Sequence, residues 1–305
     1  MSSEKYIGRF APSPTGPLHF GSLVTAVASF FQAKHNNGKW LVRIEDIDKK
    51  REQKGASDSI LKTLDSFQLY WDDDVIYQSS RLDYYFDAIE KLHKLNRLYR
   101  CTCSRKTIQL YIEKQGFSGN KPVSVVYPGI CRNKKHSKEQ PHSLRLLVHN
   151  QTIHFNDIIQ GRQIENIQQV GDFVIQQMDG TVTYQLAVAI DDAKQNMTEV
   201  VRGIDLISSC FRQILILKLL NYPIPQYCHL PIVCHKDGSK LSKQTGASAI
   251  NNTKTTPQLW KALSYLSQSP PLELQNSNIQ ELHSWAKQNW DITKISNTQN
   301  ALYYQ

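Results

Sequence analysis

Between residues 18 and 34, Leu23, Val27, Phe30 and Phe31 recur at helical spacing, giving the segment one apolar face. Gly38 ends the pattern, and residues 39–44, Lys-Trp-Leu-Val-Arg-Ile, read as a strand. A short first strand is expected over 5–10, separated from the helix by a loop with Pro12, Pro14 and Pro17. Strand, helix and strand in so short a stretch make a βαβ unit, which predicts a parallel sheet. Apolar spacing predicts two more helices, over 57–67 and 80–95.

After Tyr99 the chain turns to cysteines, basic residues and a Gly/Pro-rich stretch between Gly116 and Gly129. Short strands are expected over 144–148 and 152–155. Residues 173–178, Asp179-Gly180 and residues 181–190 carry the pattern of a hairpin. A helix over 206–220 and a strand at 232–234 return to α/β alternation. The polar tail after Ala249 is expected to be helical where Leu and Trp recur. The predicted architecture is an α/β fold in four stretches. Residues 1–95 form the first half of a domain, 96–172 an insertion, 173–248 the second half and 249–305 a helical remnant.

The chain has 305 residues, 40% of them hydrophobic, which suits a sizeable core and about two domains. No apolar run approaches a membrane span, and the start lacks the basic-then-apolar pattern of a secretory signal. Six cysteines are no disulfide framework. A soluble, cytoplasmic protein without a membrane partner is expected. Net charge sharpens this picture. The excess of +9 lies wholly in residues 96–150, where 11 basic residues face only Glu113 and Glu139. Such clustering suits a phosphate-bearing partner, although a solvated loop region accounts for it equally well.

Four constellations carry candidate chemistry. Arg9-Phe-Ala11-Pro-Ser13-Pro-Thr-Gly-Pro-Leu-His19-Phe-Gly21-Ser22 leads from the first strand into the first helix, whose N-terminus suits a phosphate. There Gly21 permits close backbone approach, and His19 can stabilise charge developing on an α-phosphate. Arg43-Ile-Glu45-Asp46-Ile-Asp48 ends the second strand, where ligands sit in open parallel sheets. Glu45 could hold an ammonium group there, or the run could be an acidic turn pairing with Lys49, Lys50 and Arg51. Lys240-Leu-Ser-Lys243-Gln244 can surround phosphates and neutralise departing pyrophosphate. Finally, Cys101-Thr-Cys103 with Tyr127-Pro-Gly-Ile-Cys131 suits a tetrahedral zinc, although buried unligated cysteines fit the spacing as well. Cys210, Cys228 and Cys234 read as core residues.

Together these motifs resemble the class I aminoacyl-tRNA synthetases of the glutamyl/glutaminyl branch. His19-Phe-Gly21-Ser22 is similar to that family's His-Ile-Gly-His signature, and Lys240 to Gln244 to its Lys-Met-Ser-Lys-Ser loop. Asp172-Phe-Val, Asp179-Gly180, Thr183-Tyr184 and Val201-Arg202-Gly203-x-Asp205-Leu206 extend the match over residues 6–248. Ser22, Leu241 and Gln244 depart from the pattern. The resemblance implies a Rossmann-type parallel sheet split by a zinc-containing insertion. It also implies a glutamate pocket from Arg9, Ala11, Ser13, Glu45 and Tyr184, with Arg202 as a two-pronged clamp on the side-chain carboxylate. ATP with Mg²⁺ would meet His19, Gly21, Ser22, Lys240 and Lys243.

Only 62 residues follow Lys243, whereas an anticodon-binding domain needs on the order of 100–150. The family's truncated paralogues, which carry glutamate to the queuosine of tRNA(Asp), share this shortness. They also hold zinc through a Cys-x-Cys…Tyr-x-x-x-Cys set. That implies Cys101, Cys103, Tyr127 and Cys131 as ligands here, with His136 or His142 as substitutes for Tyr127. The implied activity is tRNA-independent glutamate activation by a monomer. Transfer to tRNA(Asp) would follow, with the basic 96–150 segment, including Arg132, Lys134 and Lys135, on the anticodon arm. Charging of tRNA(Glu), or a silent tRNA-binding role, are the alternatives.

Overall fold

In the computed structural model, the described residues are 5–115, 126–234, 241, 248–297 and 300–302. The lysine-rich motif, with Lys240 and Lys243, lies outside them apart from Leu241.

Strand Ile7–Phe10 pairs in parallel with Lys39–Ile44, which pairs in parallel with Ile76–Tyr77. The crossover is the helix Phe20–His35, almost entirely buried on the core side through Leu23, Val24, Val27 and Phe31. On the other edge, Thr198 N donates to the Ile7 carbonyl (3.0 Å) and Ile7 N to Thr198 Oγ1 (2.9 Å). These bonds bring strand Glu199–Gly203 alongside the first strand. It pairs in parallel with Gln226–Leu230, which in turn meets Thr152–Asp157. The two halves of the chain thus form one largely parallel layer with ligand-binding ends on one side.

The stretch 96–172 divides. Leu98–Cys101, Ser143–Leu146 and Phe173–Gln176 make a separate antiparallel sheet, whereas Thr152–Asp157 and its partner Gly161–Asn166 extend the parallel layer. Helix Arg105–Lys114, unforeseen from the sequence, starts at Ser104, whose hydroxyl accepts from Thr107 N as an N-cap.

The expected hairpin over 173–190 is replaced by a strand, Phe173–Gln176, and a helix, Tyr184–Lys194. Only one bridge, Gln176 to Val182, remains of strand pairing. Residues Leu186 to Ala193 are all buried, and the apolar run 186–190 has no alternation to mark a face. Alanines at 187, 189 and 193 favour a helix there. In the tail, helices Thr255–Tyr265 and Ile279–Asn289 cover the first helix, burying Leu259, Leu263 and Leu282. Trp290 Nε1 donates to Gln32 Oε1 (2.8 Å) and pins this cover down. No helix among the described residues is long and apolar enough to cross a membrane.

Candidate active site

A cavity of about 560 Å³ opens at the C-terminal ends of the central strands. Arg9, Ala11, Ser13, His19, Gly21, Ser22, Glu45, Tyr184 and Arg202 all line it. The first loop is held there by Glu45 N donating to the Pro12 carbonyl (3.0 Å) and Gln53 N to that of Pro14 (2.9 Å). His19 caps the first helix, its Nδ1 accepting from Ser22 N at 3.4 Å. A Cβ on Gly21 would lie 3.2 Å from His19 Cε1, so glycine keeps the imidazole in place. Ala249 bridges to His19, and Ile250 N donates to the Leu18 carbonyl (2.9 Å). Leu241, between the two motif lysines, lines the same cavity.

Beneath the loop is a buried ionic network. Asp192 accepts from Arg9 Nε (3.1 Å) and pairs with Arg43 Nη2 (2.8 Å). Neighbouring Asp191 takes Arg81 Nε (2.6 Å), Gln78 Nε2 (2.8 Å) and Tyr85 Oη (2.8 Å). Arg9 therefore reaches the cavity wall with its fork already committed inside the protein. Glu45 stands 3.4 Å from Arg43 Nη2. Burial pushes its carboxyl up to about 7, against the pull of Arg43 and Arg9. Asp46 is also buried, its carboxylate accepting from Ser79 N (2.8 Å) and the Ser79 hydroxyl while Lys49 caps it from outside (3.2 Å). Only Asp48, paired with Arg51 (2.6 Å), behaves as the solvated acidic turn.

Arg202, 4% exposed, forms the opposite wall. Its Nε donates to His229 Nε2 (3.1 Å), and Nη2 to Gln213 Oε1 and Cys210 Sγ (both 2.9 Å). Nη1 donates to Tyr184 Oη at 3.3 Å. No carboxylate among the described residues pairs directly with this guanidinium. The expected two-pronged clamp is altered, because Nη2 is engaged within the protein. A bound carboxylate would meet Nη1 and the Tyr184 hydroxyl, which accepts from Arg202 and so directs its own hydrogen outward. A carboxylate brings two acceptor oxygens and a counter-charge to this pair, whereas a carboxamide brings one acceptor oxygen and no charge.

Asp157, His229, Gln213 and the Asp191-Asp192 pair are the residues the sequence reading missed. Two adjacent carboxylates directly after the apolar run 186–190 were the available signal, since such charges enter a core only when paired. Asp157 and His229 carried none, being 72 residues apart.

A second cluster lies beside the antiparallel sheet of Leu98–Cys101, Ser143–Leu146 and Phe173–Gln176. The sulfurs of Cys101, Cys103 and Cys131 are within 4.8 Å of one another, and all three cysteines are free. Tyr127 Oη stands 3.3 Å from Cys101 Sγ and 3.8 Å from Cys103 Sγ, and it accepts from Cys131 N (2.8 Å). The Cys103–Cys131 separation of 3.5 Å is close to the edge, roughly 3.8 Å, of a tetrahedron with zinc–sulfur bonds. Burial raises the Cys131 thiol, but hydrogen bonds from the Thr102 backbone, Tyr127, Cys103 and His136 bring it down to about 6. A thiol so poised readily supplies a thiolate, and the donor set fits a metal ion. His142 is exposed and turned to the Gln140 carbonyl (2.7 Å), away from this role. Arg132 differs from the free surface cation expected of it. It grips the buried Asp172 through Nη2–Oδ1 (2.6 Å) and Nε–Oδ2 (2.8 Å), whereas Lys134 and Lys135 are exposed.

A parallel sheet assembled from two halves of the chain, with this cavity at its strand ends, is the ligand-binding arrangement of open α/β folds. Residues 6–265 match the family described as tRNA synthetases class I (E and Q), catalytic domain. Similar proteins include the glutamyl-Q tRNA(Asp) synthetase of Aromatoleum aromaticum, 43% identical over 96% of this chain and 91% of its own. That of Ectopseudomonas mendocina is 43% identical over 95% of both chains. A crystal structure of glutamate-tRNA synthetase from Elizabethkingia anophelis superposes with a TM-score of 0.80 at 24% identity. It covers 99% of this chain and 68% of its own, and it attests the fold. The chain belongs to the class I glutamate and glutamine tRNA synthetase family, within its glutamyl-Q tRNA(Asp) synthetase group.

Proposed function

We propose that the protein activates L-glutamate with ATP, without tRNA, and passes the glutamyl group to the queuosine at the wobble position of tRNA(Asp). The observation that carries the glutamate assignment is Arg202, a buried guanidinium facing the cavity without a directly paired carboxylate among the described residues. A substrate carboxylate supplies the missing counter-charge. Glu45 holds the ammonium group, and Arg9, Ala11, Ser13 and Tyr184 shape the rest of the pocket. The α-carboxylate oxygen attacks the α-phosphorus, the bond to the β-phosphate oxygen breaks, and pyrophosphate leaves. His19, Gly21 and Ser22 at the helix start, with Lys240 and Lys243, receive the phosphates, and Mg²⁺ entering with ATP offsets their charge. A queuosine hydroxyl then attacks the glutamyl carbonyl, giving the ester and AMP.

Glutamate-dependent ATP–pyrophosphate exchange with tRNA omitted tests the first step. Exchange with glutamate, and none with aspartate or glutamine, is the expected result. Exchange that starts only when tRNA is added would move the assignment to charging of tRNA(Glu).

The cluster of Cys101, Cys103, Cys131 and Tyr127 is assigned one structural Zn²⁺, and the surface carrying Lys134 and Lys135 is assigned to the tRNA. Metal analysis should find one zinc per chain, lost in Cys103→Ser. That variant should weaken tRNA binding about tenfold, by loosening the insertion, and leave exchange within twofold of wild type. Full zinc content in the variant would count against this ligand set.

A further inference from the structure

Three adjacent strands carry a chain of side chains that ends at the cavity. In the parallel register His229 lies directly opposite Arg202, and strand Gln226–Leu230 also borders Asp157. His229 is fully buried, with Nδ1 2.6 Å from Asp157 Oδ2 and Nε2 3.1 Å from Arg202 Nε. Because a guanidinium nitrogen only donates, His229 Nε2 accepts, and Nδ1 carries the hydrogen that Asp157 receives. Asp157 is itself fixed: its Oδ1 accepts from the backbone N–H groups of His229 (3.1 Å), Ile159 (3.1 Å) and Gln160 (2.9 Å).

We propose that His229 is the positioning residue that sets glutamate specificity, by holding Arg202 through Nε while keeping the Asp157 carboxylate one imidazole ring away from the guanidinium. The inference rests on the glutamate reading above. A direct Arg202–Asp157 pair would orient the guanidinium equally well but would satisfy its charge before substrate arrives. An imidazole transmits the orientation without the neutralisation. Burial and the Arg202 charge lower the imidazole's affinity for a second proton, and Asp157 opposes them, leaving its pKa below the ordinary value. Gln213 and Cys210 hold the far end of the fork by uncharged contacts, so the arrangement is consistent along the whole guanidinium.

Two substitutions divide the two bonds. His229→Asn can still donate to Asp157 but offers Arg202 no acceptor, whereas His229→Gln can reach Arg202 with its amide oxygen. In tRNA-free pyrophosphate exchange, H229N should raise the KM for glutamate about 100-fold, the scale set by a misplacement of about 1 Å. The KM for ATP should stay within twofold, and preference for glutamate over glutamine should shrink. H229Q should recover most of the glutamate KM. An unmoved glutamate KM in H229N would overturn the proposal alone, provided wild-type protein exchanges with glutamate. A parallel rise in both KM values, with a lowered unfolding midpoint, would overturn it in favour of a merely structural histidine. Wild-type protein inert toward glutamate would sink the glutamate reading and this inference with it. Should H229N fail to fold, H229Q decides: a glutamate KM within about fivefold of wild type is required, and a larger rise overturns the proposal.

Discussion

Arg202→Leu is expected to lower kcat/KM for glutamate-dependent pyrophosphate exchange by about 10⁴-fold, the largest effect of any single change in the pocket. The scale follows from what a buried polar site does when its partner is mismatched, where discrimination reaches about 10⁴–10⁵. Four orders of magnitude correspond to about 5.5 kcal/mol of transition-state binding. Arg202 can supply this because it is buried and its Nη1 faces the cavity beside the Tyr184 hydroxyl. Leucine would remove the charge and leave the substrate carboxylate in an apolar wall. Arg202→Lys should fall between, about 10²-fold down, because it keeps a positive charge but not the planar donor set held by His229 and Gln213. A thermal-shift titration gives the second readout. Glutamate at about 100 times its Kd should stabilise the wild type by about 2.7 kcal/mol, and the leucine variant should show no shift. Leucine-variant exchange within tenfold of wild type would move the carboxylate contact away from Arg202.

Legibility from the sequence followed the range of the interactions involved. The first strand, helix and strand were readable because each depends on local signals. These were the apolar face through Leu23, Val27 and Phe31, the stop at Gly38, and a strand matching Lys39–Ile44 at both ends. The cavity-lining loop from Arg9 to Ser22 was readable for the same reason, since one contiguous segment supplies it. Helix Tyr184–Lys194 was misread because burial on all sides erases periodicity, and the Asp179-Gly180 turn before it mimics a hairpin. Asp157 and His229 were illegible because their pairing depends on which strands become neighbours, a property of the assembled sheet. The cysteine cluster is intermediate. Its residues are local in sequence, but that Tyr127 and His136 lie against the sulfurs while His142 turns to the Gln140 carbonyl needed the folded chain.

Asp192→Ala is expected to be the most destabilising substitution at the site, costing about 3–5 kcal/mol. Asp192 lies between two cations from different strands, accepting from Arg9 Nε and pairing with Arg43 Nη2, all three side chains being almost fully buried. Three guanidiniums (Arg9, Arg43, Arg81) face three carboxyl groups (Glu45, Asp191, Asp192) in this network. Removing one carboxylate leaves a positive charge buried without its partner, a situation that costs about 3–5 kcal/mol. At roughly 2 °C or more per kcal/mol, the unfolding midpoint should fall by at least about 6 °C at pH 7. The pH dependence identifies the cause. Burial would raise the Asp192 carboxyl, but Arg9 and Arg43 outweigh it and hold the group below its ordinary range. A carboxylate with a depressed folded pKa stabilises above its unfolded pKa, about 3.9, and that stability is lost as pH falls toward the folded value. The gap between wild type and variant should therefore be full at pH 7 and narrow below about pH 4. Glu45 provides an independent check. Burial raises its carboxyl, and the Asp192 charge adds to that rise while Arg43 and Arg9 oppose it. Without Asp192, both arginines act on Glu45 with less competition, so its titration should move down from about 7. Folded variant protein would then keep its low glutamate KM to more acidic pH than the wild type. An Asp192→Ala midpoint within 1 °C of wild type, with the same acid profile, would mean that solvent compensates these cations.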